Sequence, residues 1–339
     1  MLPDLKLYPE ADPQKLVGIA KLAAQGEHLR DGHQVEYLTL PARSLLNRCS
    51  AKHMPFQWTI NPYRGCEFAC KYCYARFTHE FMELRDGLDF ERKIYVKQQT
   101  AWLLRRDLRR VKKGHSIAIG TATDPYQPAE KRFEVTRGIL EELALHSGLS
   151  IGMVTKSQMV TRDIGLMQRI AASNDLSINV TITTMDADLA RILEPRAPRP
   201  DLRMAAVKAL VRGGIHAGVI CAPVLPAITD TPRNLDGLVK AAAAAGAKFI
   251  YTNPLFLKPC SEKILLPFLH EHFPHLEADY RSRFKENGYV SAAYRQRLGK
   301  LMDALCHKHC MPDQEERREN RLENAVTAEH HKAEQLALF

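Results

Sequence analysis

The chain has 339 residues, of which 45% are hydrophobic and 26% are charged. These proportions are typical of soluble globular proteins, and they exclude a wholly disordered chain, a collagen-like repeat and a coiled-coil rod. The formal net charge is +9, but residues 313–339 hold four Lys or Arg against seven Asp or Glu, which leaves 44 basic and 32 acidic residues, a net +12, on the rest. A field of this sign favours polyanionic partners.

Short apolar strands alternate with amphipathic helices through most of the chain. Apolar residues four and three positions apart, such as Leu104, Leu108 and Val111, indicate helices. Six strands are predicted at residues 57–62, 116–123, 150–156, 177–184, 216–224 and 248–255, and five helices at residues 98–111, 132–146, 163–172, 201–212 and 234–245. Repeated β-then-α units predict an α/β fold with parallel strands, and periodicity leaves open whether the sheet is doubly wound or a barrel.

The chain divides into four predicted segments. Residues 1–50 are an irregular N-terminal extension with one helical piece at 13–24, and residues 51–260 form the α/β core. Residues 261–312 are predicted to be extra helices, and residues 313–339 a charged flexible tail or a solvated helix. Because no apolar run is long enough to span a bilayer and the amino end lacks a secretion signal, we expect no membrane association and a cytoplasmic location.

Three of the eight cysteines lie close together just after the first strand. Cys66, Cys70 and Cys73 have the spacing C-x₃-C-x₂-C. A loop with this spacing can place three thiolates around one face of a cubane iron–sulfur cluster and leave one iron without a protein ligand. Two other interpretations stay open at this point: three structural cysteines, or a zinc site completed by His53 or His79.

The sequence around these cysteines resembles a known family. The segment NPYRGCEFACKYCYAR at residues 61–76, with the aromatic Tyr72 before the last cysteine, resembles the radical S-adenosylmethionine (radical SAM) superfamily. Three further stretches, GLDFERKIYVK, TATDPYQPAE and EPRAPRPDLR, resemble its spore-photolyase-like or DNA-repair-photolyase-like branch. The resemblance covers residues 45–310.

The resemblance implies a fold, two cofactors and a chemistry. The fold is a partial (β/α)₆ barrel of parallel strands. The cofactors are a [4Fe–4S] cluster held by the three cysteines and SAM, whose amino and carboxylate groups bind the open iron beside Tyr72. An electron, supplied by a flavodoxin or a ferredoxin, then cleaves the sulfonium C–S bond, and the resulting 5′-deoxyadenosyl radical removes a hydrogen atom from the substrate.

In barrels of this type the chemistry lies at the carboxyl ends of the strands. The second predicted strand runs into Thr121, Thr123 and Asp124, where the superfamily commonly has a Gly-Gly-Glu-like motif. We therefore expect Asp124, with Thr121 or Thr123, to contact the ammonium group of SAM. The alternative is that Asp124 and Pro125 only form a turn.

The next two strands also end in polar residues. Thr155 and Lys156 end the third strand, and Lys156 is a candidate for contact with the SAM carboxylate or a substrate anion, or else a solvated charge. Arg196 follows the fourth strand, and its guanidinium group suits bidentate recognition of a carboxylate or phosphate. The alternative for Arg196 is an ion pair with Glu194.

The remaining cysteines offer a hydrogen donor and a second metal site. The resemblance implies a donor cysteine soon after the cluster segment, but no cysteine occurs between Tyr74 and Ile220. Cys260, just after the sixth strand, is the candidate donor, with a packed thiol as the alternative. Cys306 and Cys310 are one helical turn apart and are interpreted as metal ligands or as ordinary packing.

Two features indicate a nucleic-acid setting. Six basic side chains crowd one predicted helix and its end, where they either bind phosphates or are simply solvated. They are Arg105, Arg106, Arg109, Arg110, Lys112 and Lys113. The chain ends with Gln335, Leu336, Leu338 and Phe339, which resembles the peptide that docks repair proteins onto the bacterial DNA sliding clamp; the alternative is a last helical turn packed on the body.

These observations favour a radical SAM enzyme that acts on nucleic acid, in DNA repair or modification. Two alternatives stay open from the sequence. One is a radical SAM enzyme for a peptide or small metabolite, and the other is a non-enzymatic iron–sulfur protein that senses redox state.

Overall fold

The computed structural model describes residues 16–32, 34–50, 54–84, 86–112, 114–284, 286 and 288–312. The predicted tail at residues 313–339, with its clamp-like peptide, lies outside these residues. His53, Lys113 and the start of the helical piece predicted at 13–24 also lie outside them.

The secondary structure follows the alternation predicted from the sequence. The strands are β1 (His28–Gly32), β2 (Val35–Leu40), β3 (Leu46–Arg48), β4 (Trp58–Ile60), β5 (Tyr63–Arg64), β6 (Lys93–Lys97), β7 (Ser116–Ile119), β8 (Ser150–Thr155), β9 (Asp175–Thr181), β10 (His216–Val224) and β11 (Ile250–Pro254). The α-helices are α1 (Gly18–Ala24), α2 (Phe77–Glu80), α3 (Asp89–Arg92), α4 (Thr100–Leu108), α5 (Glu130–Phe133), α6 (Val135–Leu143), α7 (Ile164–Ala171), α8 (Ala187–Leu193), α9 (Pro200–Arg212), α10 (Pro232–Ala244), α11 (Pro259–His272), α12 (Glu277–Arg283) and α13 (Ala292–Lys308).

The larger sheet carries the six predicted parallel strands. Its order in the described residues is β11-β10-β9-β8-β7-β4-β3. The six strands β4, β7, β8, β9, β10 and β11 are parallel, and β3 is antiparallel to β4. All six strands predicted from the sequence are therefore confirmed. Because the edge strands β3 and β11 do not pair with each other in the part of the chain described, the sheet is a partial barrel.

The five predicted helices are confirmed as α4, α6, α7, α9 and α10; α4, α6 and α7 are shorter than predicted, whereas α9 and α10 begin one and two residues earlier. The apolar spacing that predicted α6 places Ile139 and Leu143 in the core, where both are fully buried. This helix begins at Val135 rather than at residue 132 because Glu134 adopts the left-handed conformation, with φ of +48°. None of the helices that the structure describes is both long and apolar enough to cross a membrane.

The strand β7 ends four residues earlier than predicted, and this creates the loop that faces the site. Gly120 has φ of +87°, a conformation that L-residues rarely adopt. A Cβ atom here would lie 2.6 Å from the carbonyl oxygen of Val154, so only glycine fits. The chain consequently turns at this point, and Thr121, Thr123 and Asp124 lie in a loop rather than in the strand.

The N-terminal extension is more regular than the sequence predicted. The strands β1 and β2 form an antiparallel hairpin, β2 pairs in parallel with β6, and β6 pairs with β5 to complete a smaller sheet of order β1-β2-β6-β5. The partners β2 and β6 are more than fifty residues apart in the chain. Local periodicity cannot report such a pairing, which explains why this segment was predicted to be irregular.

The smaller sheet buries an unusual lysine. Lys97, at the end of β6, is only 6% exposed. Burial, together with the nearby positive charge of Arg64, lowers the pKa of Lys97 to about 7. Because the folded state then binds fewer protons than the unfolded state between pH 7 and the ordinary lysine pKa, the stability of the protein should rise with pH across this window.

Replacing Lys97 by methionine should stabilise the protein at neutral pH. We expect Lys97→Met to raise the free energy of unfolding by about 1–4 kcal/mol at pH 7, because the chain no longer buries a charge. This advantage should shrink from pH 7 toward pH 10, because the cost of holding Lys97 deprotonated in the folded state falls as the pH approaches the ordinary lysine pKa. Urea denaturation from pH 6.5 to 10 measures it; an advantage that does not shrink with pH would contradict the charged-lysine explanation.

A lysine on the same strand provides the control. Lys93, whose side chain is 31% exposed, forms an ion pair of 3.2 Å with Asp89. Since partly exposed ion pairs contribute little, Lys93→Met should change the free energy of unfolding by less than about 1 kcal/mol.

Candidate active site

The three cysteines lie in a loop that leaves β5 through a tight turn. Gly65 has φ of +82°, and a Cβ atom there would lie 2.7 Å from the carbonyl oxygen of Lys93, so the chain passes too close to β6 for any side chain. Cys66 then donates its backbone N–H to the carbonyl of Phe90 over 2.9 Å. Ala69, with φ of +57°, makes a second turn between Cys66 and Cys70.

Contacts from distant parts of the chain fasten this loop. The backbone N–H of Lys71 donates to the carbonyl of Leu193 at the end of α8 over 2.9 Å. Arg76 donates to the carbonyl of Cys70 over 3.1 Å and forms an ion pair of 2.6 Å with Glu91, both side chains being buried. The loop is therefore held at once by α8 and by Glu91 on α3, the short helix that precedes β6.

A further contact comes from the C-terminal helices. Ser261, in the first turn of α11, donates its hydroxyl to the carbonyl of Cys73 over 2.8 Å. This hydrogen bond ties the cysteine loop to the start of α11, the helix that follows β11.

The electrostatics of Cys66 and Cys70 fit a metal cluster. Burial, the nearby carboxylate of Asp124 and the other two sulfurs raise the pKa of Cys66 well above its usual range. Burial raises the pKa of Cys70 to about 12, in spite of the positive charge of Lys156. Since thiolates here repel one another in a site that disfavours negative charge, a bound polyvalent cation is what would stabilise them.

The three-cysteine loop suits an iron–sulfur cluster. Among the described residues, no group of three or more His, Cys, Asp or Glu side chains is arranged to hold one metal ion. A cubane does not require such convergence because each thiolate binds a different iron. The residues present therefore fit a [4Fe–4S] cluster with Cys66, Cys70 and Cys73 as its ligands.

Asp124 links the loop after β7 to the end of β8, beside Cys66. Its carboxylate accepts hydrogen bonds from the Thr155 hydroxyl (2.7 Å), the Lys156 backbone N–H (2.7 Å) and the Tyr126 backbone N–H (2.9 Å). Burial raises its pKa, and these hydrogen bonds act in the opposite direction. The hydrogen bond from Tyr126 closes the turn that was the alternative interpretation of Asp124 and Pro125, so Asp124 shapes the loop. The contact of Asp124 with the SAM ammonium group stays a prediction.

The two threonines lie against the cysteine loop. Thr123 donates its hydroxyl to the carbonyl of Gly65 over 2.5 Å, and Gln127 donates to the same carbonyl over 3.2 Å. The hydroxyl of Thr121 accepts a hydrogen bond of 3.2 Å from Asn61. Both threonines thus connect the loop after β7 to the segment that carries the cysteines.

A buried chain of polar groups lies on the other side of the loop. Tyr72 donates its hydroxyl to Glu194, and Glu194 forms an ion pair of 2.5 Å with Arg203, whose side chain is 1% exposed. Although burial would raise the pKa of Glu194, Arg203 and Lys156 together lower it. The carboxylate therefore stays ionised in the interior.

Lys156 is the cation that faces the cysteines. Its ammonium nitrogen lies 5.7 Å from the centre of the Tyr72 ring. Burial alone would lower its pKa, but the neighbouring Cys70 and Glu194 raise it above the ordinary lysine value. The structure thus brings Lys156 together with Tyr72 and the cysteines, and its contact with the SAM carboxylate or a substrate anion stays a prediction.

Arg196 lies at the edge of this site. It donates its backbone N–H to the carbonyl of Phe68 in the cysteine loop over 3.3 Å, while its guanidinium donates to Gln34 over 3.2 Å. Glu194, the alternative partner considered from the sequence, pairs with Arg203 instead. The recognition of an anion by Arg196 stays a prediction.

The other candidate cysteines occupy three different environments. Cys260 is buried, with its sulfur 3.8 Å from the hydroxyl of Ser261, which in turn contacts the cysteine loop. Cys306 is fully buried in the core and Cys310 is exposed, so these two thiols do not share one surface. Of these cysteines, Cys260 therefore has a contact path to the cluster loop, and its role as a hydrogen donor stays a prediction.

The basic helix α4 has many of its charges paired. Arg105 forms a bidentate ion pair with Glu142, with distances of 2.7 and 2.9 Å, and Arg106 and Arg110 both pair with Asp107. These pairs neutralise much of the positive charge on this face, which favours the solvated interpretation of the helix over a phosphate-binding one.

Two residues that the sequence analysis did not select belong to the centre of the site. Glu194 was considered only as a partner of Arg196, and Arg203 was not considered. They are the first and last residues of the stretch EPRAPRPDLR, which was singled out as a whole. The opposite charges at the two ends of this stretch were the sequence signal that could have identified Glu194 and Arg203 as a pair.

A partial barrel of six parallel strands with a three-cysteine loop at its mouth is the architecture of a radical SAM protein. The chain belongs to the radical SAM superfamily, whose sequence profile matches residues 60–236. Proteins of this family use a [4Fe–4S] cluster and SAM. The two cofactors that the resemblance implied, the [4Fe–4S] cluster and SAM, are therefore confirmed.

Relatives in other organisms match most of the chain. The uncharacterized protein Rv2578c of Mycobacterium tuberculosis is 36% identical over 269 residues, which cover 79% of this chain and 79% of the relative. The uncharacterized protein MJ0683 of Methanocaldococcus jannaschii is 29% identical over 197 residues, covering 58% and 71%. Spore photoproduct lyase complexed with dinucleoside spore photoproduct has the same fold, with a TM-score of 0.62 at 15% identity over 80% of this chain and 79% of that one.

Proposed function

We propose that the protein is a radical SAM enzyme whose substrate is a nucleic acid, in DNA repair or modification. The observation that carries the catalytic part is the fastened loop that holds Cys66, Cys70 and Cys73 beside Lys156 and Asp124. When bound, the cluster supplies the electron that cleaves SAM and so gives the 5′-deoxyadenosyl radical.

The residues of this chain hold and orient the reactants. The three cysteines bind the cluster, and Lys156 places a positive charge where the SAM carboxylate is expected. Asp124 fixes the ends of β7 and β8 and supplies a carboxylate for the SAM ammonium group, with Thr121 and Thr123 close by.

Two further side chains have proposed roles in substrate chemistry. Arg196, at the edge of the site, suits a phosphate or carboxylate. Cys260, joined to the cluster loop through Ser261, is the proposed hydrogen donor to a product radical. A flavodoxin or a ferredoxin is the proposed source of electrons.

Two observations support a nucleic-acid substrate. The first is the fold shared with spore photoproduct lyase, whose solved complex contains a dinucleoside. The second is the net +12 on the chain outside its acidic tail, since excess positive charge favours binding to phosphates. No observation in the site favours a peptide or a small metabolite.

Anaerobic spectroscopy and product analysis test the proposal together. Electron paramagnetic resonance of the reduced protein should change when SAM is added, because SAM binds the open iron. With dithionite and SAM, 5′-deoxyadenosine should form, and DNA should increase its yield and be altered. A protein that never cleaves SAM under strong reduction would overturn the enzymatic part, and a response only to a peptide or metabolite would overturn the nucleic-acid part.

Docking to the DNA sliding clamp is a separate part of the proposal, and it rests on the terminal sequence alone. Deleting residues 335–339 should abolish capture of the protein by immobilised clamp, because Leu336, Leu338 and Phe339 supply the apolar anchors of the peptide. The cluster absorbance of the truncated protein should equal that of the full chain. Unchanged capture after the deletion would remove the clamp from the proposed partners.

A further inference from the structure

A row of aromatic side chains begins at the cysteine loop and leads away from it. Tyr74 follows Cys73 directly, and its ring is stacked with Phe77 at 6.5 Å and 21° between planes. Phe77 in turn contacts Phe81 edge to face, with ring centres 5.6 Å apart. Tyr74 is 45% exposed and Phe81 is 59% exposed, although both are large and apolar.

A second pair of rings continues the row on the C-terminal side. Phe256, just after β11, stacks on Tyr289 with ring centres 4.2 Å apart and 20° between planes. The ammonium nitrogen of Lys258 lies 3.8 Å from the centre of the Phe77 ring and 5.9 Å from that of Phe256, so it joins the two groups. We call these six residues the aromatic strip: Tyr74, Phe77, Phe81, Phe256, Lys258 and Tyr289.

The backbone fixes the geometry of the second pair. Phe256 and Tyr289 form an antiparallel bridge, and the Leu257 N–H donates to the carbonyl of Gly288 over 2.8 Å. Gly288 has φ of +75°, and a Cβ atom there would lie 2.5 Å from the carbonyl of Leu257. Since this turn requires glycine, Tyr289 is held against Phe256 before any ligand arrives.

Exposed aromatic rings are concentrated in this strip. Of the four aromatic side chains that are exposed in the described residues, Tyr74, Phe81 and Tyr289 belong to it, and the fourth is Trp102 on α4. The strip also carries a positive charge, because Lys258 has no carboxylate within 4 Å among the residues described here. A row of exposed rings around an unpaired cation suits a ligand that has flat rings and negative charges.

We propose that the aromatic strip is a stacking platform for unpaired nucleobases of a DNA or RNA strand, next to the cluster. Bases would stack on Phe81, Tyr74 and Tyr289, and Lys258 would meet a phosphate of the same strand. Stacking on aromatic rings does not depend on base identity, whereas a peptide offers neither this density of flat rings nor the regular phosphates. The proposal rests on the proposed nucleic-acid function and specifies how that substrate is held.

Binding of labelled oligonucleotides tests the platform. With the cluster-loaded full chain, fluorescence anisotropy should show tighter binding to a single-stranded 12-mer of DNA or RNA than to the duplex of the same length. Phe81→Leu and Tyr289→Leu should each weaken single-strand binding by about 5- to 100-fold, because they keep apolar bulk and lose the ring. Phe81→Trp should bind at least as tightly as the wild type.

Two further variants separate stacking from charge. Lys258→Gln should reduce the slope of log affinity against log salt by about one, the value for one lost phosphate contact. Trp102→Leu, the matched exposed aromatic ring outside the strip, should leave single-strand affinity unchanged. Equal thermal unfolding and cluster absorbance across the variants show that the fold is intact.

The outcomes distinguish the platform from the function on which it rests. If the wild type binds single strands and the Phe81 and Tyr289 variants bind equally well, the platform is wrong and the nucleic-acid function stands. If the wild type binds no DNA or RNA oligonucleotide, or binds only a peptide, both are wrong.

Discussion

Replacing Cys70 by alanine should abolish the chemistry of this protein. Three thiolates hold the cluster as one unit, so the loss of one should prevent stable assembly and lower reductive SAM cleavage by more than about 10³-fold. Cys70 is the most buried of the three ligands, at 7% exposed, and water or buffer thiols cannot readily replace it. Visible absorbance, iron content and 5′-deoxyadenosine yield after anaerobic reconstitution measure the effect.

The matched control is a cysteine outside the loop. Cys310 is exposed and lies after α13. Cys310→Ala should therefore keep both the cluster and SAM cleavage at the wild-type level. A Cys70→Ala protein that retains full iron content and activity would show that the loop is not the cluster site.

The sequence predicts the barrel because each strand and helix carries its own local signal. Strands such as β8 and β9 alternate buried apolar residues with partly exposed ones, and helices such as α9 end at a glycine, so six parallel strands and the order of the helices follow from neighbouring residues. The cysteine loop is predicted for the same reason, since its three ligands lie within eight residues of each other. Closure into a partial barrel came only from the family resemblance.

The features that the sequence did not predict are those that depend on distant contacts. The pairing of β2 with β6 joins segments that no local pattern connects, and so the smaller sheet was missed. The loop after β7 was predicted as strand because its threonines favour strands, whereas the steric requirement at Gly120 comes from β8.

The centre of the site illustrates the same limit. Tyr72, Glu194 and Arg203 meet only because α8 and α9 pack against the cysteine loop, so their contact could not be deduced from their spacing. Lys156 and Asp124 were selected because they are polar residues at or after the carboxyl ends of predicted parallel strands, where sites of such barrels lie. That selection needs only the order of the strands, which the sequence does reveal.

Replacing Arg203 by methionine should have the largest effect on stability. The ion pair with Glu194 is almost fully buried on both sides, and removing one partner leaves an uncompensated carboxylate in the interior. We expect Arg203→Met to lower the free energy of unfolding by about 3–5 kcal/mol, measured by urea denaturation of the protein without its cluster. The lost hydrogen bonds from Arg203 to the carbonyls of Thr181 and Pro198 act in the same direction.

A double-mutant cycle isolates the ion pair from these other contacts. Glu194→Gln removes the buried charge and keeps the shape, so Glu194→Gln combined with Arg203→Met should cost less than the two single changes added together, by about 1–3 kcal/mol. The matched control is the exposed ion pair between Arg199, four residues before Arg203, and Asp201; Arg199→Met should cost less than about 1 kcal/mol. Additive effects of Glu194→Gln and Arg203→Met would mean that the two side chains stabilise the fold independently. The buried ion pair between them would then not be what supports the cysteine loop.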